Sequence, residues 1–184
     1  MNKIQINGLT FVPYMNEEEI RPAITKIAEE IKRDLGNKNP LFICILNGAY
    51  MFASDLSKAL NDSYEIAFAK YSSYSGLEST GELKEVMKPQ VSVEGRTVVI
   101  LEDLVDSGFT VTEVEKLYLE RGANEVYVAA MLSKPNAIQE GARKADYTGI
   151  NIPNDFIVGR GLDYNGVGRM LRDIYVLEDS GEKA

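Results

Sequence analysis

Histidine and tryptophan are absent from these 184 residues, and cysteine occurs once. Without histidine there is no Ser-His-Asp or Cys-His catalysis and no imidazole metal ligand. Acid–base work falls to carboxylates, lysine, tyrosine or water. A bound metal has to be a hard cation on oxygen ligands, most simply Mg²⁺. The single thiol, Cys44, sits inside the apolar run Leu41–Leu46 and reads as a small core residue. One thiol builds no disulfide framework, so a cytoplasmic location is expected. No apolar stretch approaches the ~18 residues of a membrane span. The first residues, Met1 to Ile6, lack the apolar segment of a signal peptide. The net charge of −8 leaves no basic face for nucleic acid or anionic lipid, so neither is an expected partner. A phosphorylated small molecule remains compatible, because a local pocket can be basic or can use Mg²⁺.

What is present suits one α/β domain, with hydrophobic residues at 45%. Ile4–Val12 alternates like a short strand. Asn16 and Glu17-Glu18-Glu19 open a helix whose apolar positions are Ile20, Ile24, Ile27, Ile31 and Leu35, with a restart or bend expected at Pro22. Leu41–Leu46 reads as a buried strand, and Phe52, Leu56 and Leu60 mark the next helix. Further strands are expected over Tyr64–Tyr71, Thr97–Glu102 and Glu125–Leu132, with a helix over Val111–Arg121 and a strand or hairpin arm within Glu82–Val93. This order predicts a doubly wound, mostly parallel sheet with helices on both faces. The Pro- and Gly-punctuated tail after Lys134 reads as a small lobe over the sheet's carboxyl edge, with a last strand at Ile174–Leu177.

The richest stretch runs from Val98 to Thr110. A buried strand meets adjacent carboxylates, Glu102 and Asp103, and then Asp106-Ser107-Gly108-Phe109-Thr110 opens a helix. Open α/β sheets bind ligands at such strand ends. The carboxylates can hold a diol or a metal. Ser107, Thr110 and the turn amides can hold a phosphate. The segment therefore points to a ligand carrying both a sugar and a phosphate. There is no G-x-x-x-x-G-K-[ST] loop, and Gly159-Arg160-Gly161 is followed by Tyr164 where a dinucleotide fingerprint needs a third glycine or alanine.

The stretch Val99–Thr110 resembles the phosphoribosyl-pyrophosphate (PRPP) motif of the type I phosphoribosyltransferases, and the chain from about Ile43 to Leu177 resembles their hypoxanthine-guanine branch. Four motifs in the family's order carry the likeness. Ile45-Leu46-Asn47-Gly48-Ala49 matches the pyrophosphate loop, with an implied cis peptide between Leu46 and Asn47. Many relatives carry a cation where Asn47 stands. Ser73-Tyr74, with Ser79-Thr80-Gly81, matches a flexible lid that excludes water. In the PRPP motif the resemblance implies that Glu102 and Asp103 hold the ribose hydroxyls, directly or through Mg²⁺. Asp106, Ser107, Gly108, Phe109 and Thr110 then wrap the 5′-phosphate, and Asp106 faces purine N7 as general acid or base. The fourth motif assigns Lys144 to the purine 6-oxygen, Phe156 to stacking and the backbone near Ile157 to the ring edge. It gives Asp163 a second Mg²⁺ through water and Arg169 the pyrophosphate.

The family likeness implies a single domain over residues 1–184. Its core spans about residues 36–150, and a hood forms from the N-terminal segment and about residues 151–184. It implies phosphoribosyl transfer from PRPP to N9 of hypoxanthine or guanine, Mg²⁺ as cofactor and a homodimer or homotetramer. Two alternatives remain open here, a xanthine-accepting transferase and a non-catalytic PRPP-sensing regulator.

Overall fold

The computed structural model describes residues 2–73 and 83–178. In chain order the elements are β1 (Ile4–Ile6), β2 (Leu9–Met15), α1 (Glu17–Leu35), β3 (Leu41–Leu46), α2 (Tyr50–Leu60), β4 (Ile66–Ser73), β5 (Leu83–Met87), β6 (Thr97–Val105), α3 (Phe109–Glu120), β7 (Glu125–Ser133), β8 (Tyr147–Asn151), β9 (Ile157–Val158) and β10 (Ile174–Leu177). A short 3₁₀ turn, Gly36–Lys38, joins α1 to β3.

The central sheet has the order β5-β4-β3-β6-β7-β8. Every pair is parallel except β4–β5. Parallel strands need both faces covered, and their uninterrupted apolar runs provide for it. On one face Ile20, Ile27 and Ile31 of α1 and Phe52 and Leu56 of α2 pack on Cys44, Leu101 and Met131. On the other, Val111, Val114 and Tyr118 of α3 pack on Ile43, Ile100 and Val128. The doubly wound reading of the sequence describes this architecture. β8 was not expected as a strand. It adds to the β7 edge and hides Tyr147 beneath the α1 face.

A second sheet, β1-β2-β10-β9, joins the two ends of the chain. Ile4–Val12 is not one strand. It folds back at Asn7 (φ 48°) and Gly8 (φ 82°), an Asn-Gly turn in which both residues are left-handed. Helix α1 begins with a capping box: the Asn16 side chain accepts from Glu19 N–H, and Glu19 accepts from Asn16 N–H. The helix runs through Pro22 without restarting. Pro22 and Glu18 are both exposed, so water can satisfy the carbonyl that the missing N–H leaves free.

A polar stitch ties the β4–β5 pair to α3. Tyr71 Oη donates to Tyr118 Oη at 2.9 Å, and Arg121 grips Glu85 through bonds of 2.8 and 2.7 Å. Burial pushes the Tyr71 hydroxyl up to about 12. The Arg121 guanidinium holds Glu85 below the usual carboxylate range.

Candidate active site

The sheet order reverses between β3 and β6, which lie side by side with Cys44 opposite Leu101. Ligands of open α/β sheets bind outside the strand ends at such a switch point. Here the ends of β3 and β6 open into a cleft of about 370 Å³ lined by Leu46, Gly48, Tyr71, Ser72, Glu102, Asp103, Thr110 and Arg169, among others. A smaller hollow of about 70 Å³ is lined by Glu102, residues 104–108, Thr110 and Val111.

Beyond β3 the Leu46–Asn47 peptide is cis. Gly48 then passes so close to Asp103 that a Cβ would stand 2.0 Å from its Oδ2. From above, Gly161 (φ +102°) lays the second sheet's loop on the same turn, where a Cβ would meet the Gly48 carbonyl oxygen at 1.8 Å. At Gly161 the obstacle is backbone and only glycine fits, whereas at Gly48 an added Cβ would have to push the Asp103 carboxylate aside. Arg169 closes this side: Nη1 donates to Gly161 O at 2.7 Å, and Nη2 pairs with Asp163 Oδ1 at 2.6 Å. Tyr50 Oη donates to Arg169 O at 3.1 Å, tying α2 to the same loop. Asn47 is exposed at the turn.

In the last residues of β6 the adjacent carboxylates Glu102 and Asp103 line the cleft. Glu102 Oε2 is buried with no hydrogen-bond partner among the described residues. Burial and the neighbouring Asp103 raise the Glu102 pKa well above the usual range. Burial also raises Asp103, against the Leu104 N–H that donates to its Oδ1 at 3.0 Å and the nearby Arg169 charge. Two adjacent acids that resist ionising form a site short of positive charge or donors. That fits a diol or Mg²⁺. Mg²⁺ typically takes only one or two carboxylates and completes its shell with water and substrate phosphate. Among the described residues no three acidic or sulfur ligands form a ready cage.

Val105 ends the strand, and the chain turns through Asp106-Ser107 to Gly108, whose φ of +79° starts α3 with no side-chain cap. Ser107 Oγ takes the first amide of α3, Phe109 N–H, at 3.3 Å, while among the described residues the Thr110 and Val111 amides beside the hollow have no side-chain partner, an arrangement suited to an anion. Asp106 carries a partner that sequence reasoning missed. Lys134, directly after β7, is 7% exposed, and its Nζ lies 3.0 Å from Asp106 Oδ2. Its own N–H donates to Val105 O at 2.9 Å.

Lys144, the lysine expected at the purine, does not join this group. It is exposed on the loop before β8, and among the described residues only its backbone carbonyl is engaged, by Arg143 at 3.0 Å. The misplacement has a physical reason. Lys134 closes the apolar strand next to β6, and parallel strand ends converge, whereas Lys144 lies in a loop whose course no periodicity fixes. A lone lysine at the carboxyl end of Glu125–Ser133 was the available signal.

Phe156 is 43% exposed, and Tyr164 meets its ring edge-on at 5.7 Å. Phe11 also packs on the ring, tilted, with centroids 6.1 Å apart. Ile157 is buried in β9. Asp163 also accepts from Gly166 N–H at 2.6 Å. Ser73 ends β4 opposite Leu83. Tyr74, Ser79, Thr80 and Gly81 lie outside the described residues. A separate cavity of about 350 Å³ between α1 and α2 is lined by Glu17, Arg21, Asp55, Lys58 and Arg160. Its three cations share two carboxylates: Arg21 pairs with Glu17 at 3.5 Å, and both Lys58, at 3.0 Å, and buried Arg160 pair with Asp55.

Known proteins resemble this chain in sequence and fold. The phosphoribosyl transferase domain family matches residues 15–165. A hypoxanthine-guanine phosphoribosyltransferase of Streptococcus pyogenes is 36% identical over 165 residues, 89% of this chain and 91% of that protein. A hypoxanthine phosphoribosyltransferase of Trypanosoma cruzi, solved in complex with the product IMP, superposes with a TM-score of 0.84 at 34% identity, covering 95% of this chain and 97% of that one. The bifunctional protein TilS/HprT of Listeria innocua is 38% identical over 165 residues, and the chain spans only 25% of its length. By sequence and by fold, the chain belongs to the type I phosphoribosyltransferase family, with hypoxanthine-guanine phosphoribosyltransferases as its relatives.

Proposed function

We propose that the chain salvages purines by moving the phosphoribosyl group of PRPP to N9 of hypoxanthine or guanine, giving IMP or GMP and pyrophosphate. The observation that carries this reading is the buried Lys134 pointing at Asp106 beside the Glu102–Thr110 turn. An ammonium held there donates to a 6-oxo group but meets an amino group on adenine, so the site selects 6-oxopurines.

Each residue then has a task. The first amides of α3, with Ser107 and Thr110, bind the 5′-phosphate. Glu102 and Asp103 grip the ribose hydroxyls. Leu46, Asn47 and Gly48 offer backbone groups to the pyrophosphate, and Arg169 supplies charge. Phe156 stacks on the base, and the backbone at Ile157 reads its edge. Asp106, the exposed member of its ion pair, holds the N7 proton as N9 attacks the anomeric carbon. The cleavage builds positive charge on the sugar and negative charge on the leaving group. The carboxylate floor faces the first and Arg169 the second. Mg²⁺, when bound, neutralises the pyrophosphate. Glu102 and Asp103 would hold one ion, and Asp163 a second through water.

We take the β1-β2-β10-β9 sheet as a hood on a single domain. Exposed Ile66, Phe68 and Val86 at the β4–β5 edge support pairing with another copy, as a homodimer or homotetramer. Among the described residues no helix is long and apolar enough to cross a membrane. A cytoplasmic site of action agrees with the single buried thiol. The test is nucleotide formation from PRPP, Mg²⁺ and each purine in turn. Turnover with hypoxanthine or guanine but not adenine is expected, and no nucleotide from any 6-oxopurine would refute the assignment.

A further inference from the structure

We propose that Thr112 is a positioning residue, the joint through which the segment from Ile138 to Arg143 holds the 106–110 turn in its phosphate-binding shape. This rests on the role given to that turn above. The turn does not support itself. Gly108 stands at φ +79° with no spare room, since a Cβ there would lie 2.8 Å from Arg143 O and 3.0 Å from Ala142 Cβ. Ser107 is tied back as well, its carbonyl accepting from Gln139 N–H at 3.0 Å. The peptide groups that face the ligand on one side are thus braced from behind.

Thr112 lies one helical turn beyond Gly108. Its hydroxyl donates to Gly108 O at 2.7 Å and accepts from Arg143 N–H at 2.8 Å. The first bond is ordinary for a threonine in a helix. The second comes from outside the helix, from the residue whose carbonyl packs on Gly108. One hydroxyl therefore fixes both sides of that contact. The brace is itself anchored: Arg143 Nε donates to Glu115 of α3 at 2.9 Å, and Nη2 to Asp146 Oδ2 at 2.5 Å. That same Asp146 oxygen accepts from Val128 N–H of β7 at 2.8 Å. The run that ends in this brace begins at Lys134, so the phosphate turn and the purine-reading lysine share one support.

Thr112→Val keeps the shape and removes both bonds. Binding of IMP, inosine and pyrophosphate is measured by calorimetry, alongside steady-state kinetics. A displaced anion site costs binding steeply, so IMP affinity should fall ~10-fold or more. Inosine, which lacks the phosphate, and pyrophosphate should bind as to the wild type. KM for PRPP should rise more than kcat falls, and Thr112→Ser should restore IMP affinity. Arg143→Ala, which unties the brace from Glu115 and Asp146, should show the same pattern more weakly and serves if Thr112→Val does not fold. Wild-type IMP affinity in both variants would overturn the proposal. So would equal weakening of all three ligands, the mark of a general structural role. A folded wild-type protein that binds no IMP would instead overturn the parent reading, and the brace with it.

Discussion

The turn after β3 and the turn after β6 leave neighbouring parallel strands and lead into α2 and α3, and neither helix has a side-chain cap. Both leave backbone N–H groups free for anions. Their supports differ. The β3 turn is wedged by absent side chains: Gly48 lies against Asp103, and Gly161 against Gly48. The β6 turn has one such wedge, Gly108 against Arg143 O, and adds hydrogen bonds from Gln139 and through Thr112 to Arg143. Steric wedging tolerates no addition, whereas a hydrogen-bonded prop can loosen gradually. The pyrophosphate side should therefore fail abruptly on mutation, and the sugar-phosphate side by degrees where its hydrogen bonds rather than Gly108 are altered.

Gly161→Ala is the harshest way to break the comparison. The added methyl collides with Gly48 O, and the residue loses a left-handed backbone that suits glycine. Overpacking and the conformational penalty together cost about 4 kcal/mol. Turnover should fall ~10³-fold by the usual conversion, with pyrophosphate binding lost and IMP binding reduced far less. Equal losses of both ligands would show that the two turns share one support.

Lys134→Ala comes next, because it touches the purine end of the β6 support. Losing a charged donor costs about 1.5–3 kcal/mol. The kcat/KM for hypoxanthine should drop ~10²-fold, while Lys144→Ala stays near wild type. The reverse ranking would restore Lys144 to the site.

Asn47→Lys sharpens the contrast in the other direction by adding a cation to the wedged turn. Position 47 is exposed, so the gain should be a few-fold in KM for PRPP, and it should fade in high salt.

Glu85→Gln is the mildest and acts on stability. Arg121 holds the Glu85 pKa below its usual value, so the pair stabilises the fold above the unfolded carboxylate pKa and is lost as pH falls through the folded one. The variant should unfold more easily at neutral pH, by about 1 kcal/mol. Its acid limb should be flatter in denaturant melts recorded across pH. An unchanged acid limb would show that the stitch between β5 and α3 is inert.

The sequence made some of this legible and hid the rest for physical reasons. The Val98–Thr110 stretch was readable because a buried strand, paired acids and a Gly turn all follow local rules, and the structure puts them where those rules say. Helix α1 was readable from its isoleucine spacing, but Pro22 overweighted local propensity against a long buried face. The Asn7-Gly8 hairpin was written plainly in an Asn-Gly pair and passed over. Lys134 was hidden differently. Its meaning comes from which strand ends lie beside which, a fact of sheet order rather than of spacing. Thr112 was invisible for the same reason, since Arg143 meets it only through the fold.

The second sheet carries a consequence for a shortened chain. Strand β10, close to the last described residue, is threaded between β2 from the beginning of the chain and β9. The six-stranded sheet draws on none of residues 174–177, whereas the second sheet is completed only by β10. Under the assignments proposed above, a polypeptide cut before Ile174 would keep both phosphate turns and lose the strand that seats the layer carrying Phe156 and Arg169.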